Sequence, residues 1–137
     1  MSYYFLDTSA LIKHYVAEAG SQWLNATVFE SADTLLLISR ITVVEMRSAL
    51  ARRKREASIG ARDHADALAS LSEDCLLRYR FVELEAPIVE LAGDLLDRYI
   101  LRAYDAVQLA SALAINRLLI DANLAPLSLV SADNNLL

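Results

Sequence analysis

The chain has a single cysteine, Cys75, so an internal disulfide and a cysteine-based zinc site are both excluded. Glycine and proline are scarce, 3 and 2 in 137 residues, while 55% of the chain is hydrophobic. That balance excludes a disordered or low-complexity chain and leaves enough apolar side chains for a real core. Histidine is scarce too. His14 and His64 lie far apart without ligand-like spacing, so both read as surface or packing residues. No apolar run can cross a bilayer: the longest, around Leu35 to Val44, is short and is broken by Arg40. No basic region precedes the first apolar run, so a secretory leader is not expected and the cytoplasm is the default location. Basic charge is in deficit, 13 Lys and Arg against 18 Asp and Glu, for a net charge of −5 and a pI near 4.9. This balance weighs against general affinity for nucleic acid. The basic residues that exist cluster at Arg47, Arg52, Arg53, Lys54, Arg55 and Arg62. Most of that cluster reads as a solvated helix end.

A chain of this length is expected to form one domain over 1–137. Its mean hydropathy of +0.31 is high, which points to apolar surface that meets a partner or a second copy of the chain.

The stretch Tyr3-Tyr4-Phe5-Leu6-Asp7-Thr8-Ser9 runs from aromatic and apolar residues straight into an acid and two hydroxyls. It reads as a short buried strand ending at Asp7, followed by a helix over Ala10 to Glu18 that Gly20 ends. In open α/β sheets that strand end is where ligands bind, although Asp7 or Thr8 could equally serve as a helix cap. Ser21 to Ser31 reads as a second helix with Trp23, Leu24, Val28 and Ala32 inward. Thr34 to Ser39 is a continuous apolar run that suits a buried parallel strand.

Thr42-Val43-Val44-Glu45 carries the capping-box pattern and opens a helix to about Ser58. Glu45, Ser48, Ala49, Arg52 and Glu56 share one face of it, and Val43, Met46, Leu50 and Ala57 lie opposite, toward a core. A helix from Ala61 to about Arg78 carries Leu68, Leu71 and Leu76. A strand over Phe81 to Glu85 follows. Pro87 then starts a helix that ends near Tyr99, with Ile88, Leu91, Leu95 and Leu96 at helical spacing. Ala103 to Ile120 is apolar on almost every side, so the helix is expected to be largely buried with Asp105 in its first turn. An acid there needs compensation, from amide donors at the helix start or from a metal ion. Leu127 to Val130 forms the last strand, with Asp133 just beyond it.

Asp7, Glu45, Asp105 and Asp133 thus each fall where a strand or its following turn meets the start of a helix. Alternating strands and helices give a parallel sheet, in which those positions share one edge. Four acids in one cleft repel unless cations fill it. Oxygen-only ligands suit Mg²⁺ or Mn²⁺, ions that activate water and clamp a phosphate during in-line displacement.

Four segments carry a family likeness: Tyr4-Phe5-Leu6-Asp7-Thr8-Ser9-Ala10-Leu11, Thr42-Val43-Val44-Glu45, Ala103-Tyr104-Asp105-Ala106-Val107-Gln108-Leu109-Ala110-Ser111-Ala112 and Val130-Ser131-Ala132-Asp133. Together and in this order they resemble the four acidic motifs of PIN-domain ribonucleases. The size of the chain points to the VapC-type toxins of toxin–antitoxin pairs. The resemblance implies a three-layer α/β/α sandwich around a central, mostly parallel sheet of four to five strands. It implies a Mg²⁺- or Mn²⁺-dependent endoribonuclease that cuts single-stranded or loop RNA. Asp7 and Asp105 would hold the principal metal, Glu45 and Asp133 would complete the pocket, and the hydroxyls of Thr8 or Ser9 would assist. A homodimer and a small cognate antitoxin that blocks the site are implied as well. Family members usually continue past the fourth acid with a helix and an edge strand, whereas this chain stops at Leu137. Arg52, two helical turns beyond Glu45 on the same face, could meet a substrate phosphate or simply be solvated.

Other readings explain fewer residues. An Asp-nucleophile phosphatase would place a second Asp two residues after the first, where this chain has Ser9. A receiver-type signalling domain would want paired acids after the first strand and a lysine after the last. A catalytically silent RNA-binding module, or a housekeeping RNA-processing protein without a toxin role, is the alternative within the same fold.

Overall fold

A computed structural model describes residues 1–134 and 136. Its sheet is built from β1 (Ser2–Leu6), β2 (Thr34–Ser39), β3 (Tyr79–Val82) and β4 (Leu127–Val130). The strand order is β3-β2-β1-β4, and every neighbouring pair is parallel. β1 is therefore central: Phe5 sits opposite Leu37 of β2 and Leu129 of β4. All four strands end along one edge, so whatever follows β1, β2 and β4 is delivered to the same place.

The pleat sorts the side chains into two cores. Leu6, Leu36, Ile38 and Tyr79 face one layer, made of α1 (Thr8–Tyr15), α2 (Ser21–Leu24), α3 (Ile41–Arg55) and α4 (Ala61–Leu77). Phe5, Leu37 and Val82 face the other, made of α5 (Ala86–Arg98) and α6 (Ala103–Asp121). The result is the α/β/α sandwich that the motifs implied, with four strands among the described residues. No described helix is long and apolar enough to cross a membrane.

The structure departs from the sequence pattern in several places. The second helix is only one turn of α-helix, and a π-helical turn over Asn25–Phe29 continues it. That wider turn carries Leu24, Val28 and Phe29 into the core and leaves Trp23 59% exposed, with Ala32 exposed as well. The turn is held from outside by His14, which stacks on Phe29 at 3.7 Å and bonds the Asn25 side chain at 2.6 Å. Beyond Leu71 it is Cys75 of α4 that packs against the core, and Leu76 and Leu77 are exposed. β3 begins two residues earlier than the sequence pattern placed it, because Tyr79 pairs with Leu36 and is buried. Ala57 lies past the end of α3 with a left-handed backbone and is exposed. Only the first half of α6 is enclosed: Leu113, Leu118 and Ile120 face outward, as does Leu96 of α5. The expectation about the end of the chain at Leu137 lies outside the described residues.

Candidate functional site

At the carboxyl edge of the sheet a cleft of about 610 Å³ is lined by Asp7, Glu45, Asp105 and Asp133, together with Thr8, Ser9 and Arg52. All seven residues singled out in the sequence thus meet in one place. A second cavity of about 630 Å³ lies between α1 and α4, so size does not distinguish the cleft. Its chemistry does, because the acids arrive there from four separate places in the chain, the ends of β1 and β4 and the helices α3 and α6.

Asp7 follows β1 directly and caps α1, its Oδ1 accepting from the Ala10 amide at 3.0 Å. The capping role and the cleft position coexist. Ser9 donates to the same oxygen at 2.7 Å, and the Ser131 hydroxyl donates to Oδ2. Ser9 also accepts from the Ala132 amide at 2.9 Å, and Ser131 from the Asp133 amide at 3.0 Å. These two serines tie the end of β1 to the end of β4. Asp7 is only 3% exposed. Burial pushes its carboxyl above the ordinary range, Asp133 adds to that push, and the three donors oppose it.

Glu45 does not close a capping box. α3 begins two residues earlier than the pattern required, with Arg40 as its cap, so Thr42 lies inside the helix. The Glu45 Oε1 instead accepts from the Thr8 hydroxyl at 3.0 Å and from the Gln108 amide at 2.8 Å. Asp105 stands in the first turn of α6 and is buried. Amide donors at the helix start favour a carboxylate there. Arg102, the residue before the helix, supplies the rest: its Nε meets Asp105 at 3.0 Å and its Nη2 meets Asp133 at 3.5 Å. Arg52 and Arg53 line the same cleft from α3.

Gln108, Arg102, Ser131 and Thr42 are site residues that sequence reasoning did not single out. Gln108 had a legible signal, an amide one helical turn from a buried acid. Arg102 had a weaker one, a cation three residues before that acid.

Among the described residues, no three His, Cys, Asp or Glu side chains are gathered into a ready-made metal site. The hydrogen bonds explain why. Each acid is drawn to its own partners, Asp7 to serines, Glu45 to Thr8 and Gln108, Asp105 and Asp133 to Arg102. The donor set is nonetheless all oxygen, as a hard cation requires. The cleft also holds one buried polar atom without a partner among the described residues, the Gln108 Oε1.

Comparison with known proteins gives a consistent picture. Residues 4–135 match the family profile described as PIN domain. The chain is 38% identical over 111 residues to ribonuclease VapC45 of Mycobacterium tuberculosis, a match that covers 81% of this chain and 75% of that protein. Its fold is similar to that of Mycobacterium tuberculosis VapC20, a Sarcin-Ricin loop cleaving toxin, with a TM-score of 0.62 at 18% identity, covering 95% of this chain and 91% of that one. It is similar also to VapBC2 from Rickettsia felis, solved bound to a DNA fragment from its promoter, with a TM-score of 0.59 at 17% identity, covering 96% and 99%.

Proposed function

The chain belongs to the PIN domain family, and from that premise we propose that it is a metal-dependent endoribonuclease that cuts single-stranded or loop RNA and serves as the toxin of a toxin–antitoxin pair. The observation that carries this reading is the convergence of Asp7, Glu45, Asp105 and Asp133 on one cleft. The ribonuclease name of the 38%-identical relative supports it. An RNA substrate and the cytoplasm as the place of action go together.

The residues fit a hydrated Mg²⁺ or Mn²⁺. Such ions use one or two direct carboxylates and keep several waters, so a cleft without a preassembled cage suits them. As the family resemblance implies, Asp7 and Asp105 would hold the principal ion, and Glu45 and Asp133 would complete the pocket. The bound ion supplies Lewis-acid polarisation of a phosphodiester and a water of lowered pKa. The chain supplies the rest. Ser9 and Ser131 orient Asp7, and Thr8 and Gln108 orient Glu45. Arg52 and Arg102 stand at the rim, where they meet the backbone of an RNA strand as charged donors to phosphate. The exposed Tyr104 and Val44 beside them give bases an apolar surface.

Outward-facing Val89, Leu96, Leu113, Leu118 and Ile120 on α5 and α6 form apolar surface suited to a homodimer. The purified chain is expected to run at twice its monomer mass, and a monomer at micromolar concentration would count against the dimer.

Expression with and without the adjacent reading frame tests the toxin role. Growth arrest without that neighbour and normal growth with it are expected. Normal growth in both cases would leave a housekeeping nuclease.

A further inference from the structure

A buried primary amide is tolerated only where its hydrogens find acceptors. Gln108 is 2% exposed, on α6, one turn beyond Asp105. Its Nε2 donates to Thr42 Oγ1 at 2.8 Å and to Glu45 Oε1 at 2.8 Å, which uses both hydrogens, with a longer contact to Thr8 Oγ1 at 3.5 Å. The amide cannot be turned over, because that would set its oxygen against the carboxylate of Glu45. Thr42 and Glu45 stand one turn apart on α3, and Thr42 is wholly buried. The amide therefore bridges two successive turns of α3 from α6, the helix that carries Asp105.

The bonds at Glu45 are one-sided. Gln108 and Thr8 both donate to Oε1, and no hydrogen bond reaches Oε2 among the described residues. One oxygen is given over to the protein and the other is left for the cleft. We infer that Gln108 is a positioning residue, one that fixes Glu45 so that a single carboxylate oxygen is presented to the divalent cation. This rests on the metal-nuclease reading above. Nothing in it requires Gln108 to touch the substrate.

A double-mutant cycle on the full chain, with Mn²⁺ binding measured by calorimetry, tests it. Gln108→Leu keeps the volume and removes the donor. Binding should weaken roughly tenfold to hundredfold, the usual effect of removing the partner that orients a metal ligand. In a Glu45→Gln background the same change should cost nothing further, since Gln108 acts through Glu45. A residue that merely filled the core would lower the melting temperature and leave the Mn²⁺ affinity alone. Thr42→Val is the gentler variant, which loosens the amide without emptying its site. It should weaken binding less, and again only when Glu45 is present. It also decides the matter if Gln108→Leu does not fold. Wild-type protein that takes up no Mn²⁺ would overturn the metal reading itself. Wild type that binds Mn²⁺, with variants that bind as tightly or losses that persist in the Glu45→Gln background, would overturn the positioning role alone.

Discussion

The two sides of the cleft hold their charge by different means. On one side, Asp7 and Glu45 are held by neutral donors: serine and threonine hydroxyls, a backbone amide and the Gln108 side chain. On the other, Asp105 and Asp133 share a full positive charge from Arg102. On the neutral side Asp7 is buried and tied to the end of β4 through Ser9 and Ser131, and the half-buried Glu45 is tied to α1 and α6 through Thr8 and Gln108. The ionic side depends on a side chain that is 79% exposed. Hydrogen bonds orient a carboxylate but leave its charge uncancelled, whereas an arginine cancels charge and swings away at little cost. A cation entering this cleft therefore relieves most at Asp7 and competes with a resident charge at Asp105.

The largest effect should come from the neutral side. Asp7→Asn keeps the cap and the shape, because Asn caps as well as Asp. As a lost metal ligand it should cost about 3 kcal/mol or more of transition-state stabilisation, roughly a hundredfold or greater fall in RNA cleavage. Without metal the variant should melt higher than wild type. Each 1 kcal/mol regained from the buried charge raises the melting temperature by roughly 3–5 °C in a domain of this size. The sign follows from burial. A carboxyl raised in the folded state from its ordinary 3.8 contributes its full stability below that pH and loses it as pH rises through the folded value. The advantage of Asp7→Asn should thus shrink as pH falls toward 3.8 and widen toward neutrality. Melting curves of both proteins across that range check this, and a constant difference would place the strain elsewhere.

The ionic side should respond less, and in the opposite sense for metal affinity. Arg102→Gln removes the competitor at Asp105, so Mg²⁺ should bind roughly twofold to fivefold tighter at low salt, the scale of a screened surface pair. Unchanged or weaker binding in a calorimetric titration would show that Arg102 does not guard the ion site. Cleavage should not gain in step, because Arg102 also stands where RNA phosphate arrives.

Arg52→Ala should have the smallest effect of the three. It should weaken RNA binding at low salt and reduce the salt slope by about 1, the signature of one lost phosphate contact. A slope equal to that of wild type would make Arg52 a solvated residue.

How much of this could be read from the sequence divides along the same lines. Strand ends and helix starts are local matters, so the last strand was placed at Leu127–Val130, where it lies. Pro87 marked the start of α5, and the four acids were brought to one edge by the alternation of strands and helices. What joins those acids is not local. Gln108 reaches Glu45 across 63 positions and Ser131 reaches Asp7 across 124, and no periodicity signals such pairs. The capping-box pattern at Thr42 misled because α3 starts two residues early and its Glu found better donors in other helices. Trp23 was misplaced because a π-helical turn changes which residues face inward, and its sequence carries no distinct mark.

The most direct test of the account is RNA cleavage by the wild-type chain, measured with Mg²⁺ or Mn²⁺ and again in excess chelator, with melting temperature followed in parallel. Cleavage should require the ion, and the ion should raise the melting temperature by relieving the uncancelled charge at Asp7. Full cleavage in excess chelator would contradict the claim that these four carboxylates work by holding a divalent cation.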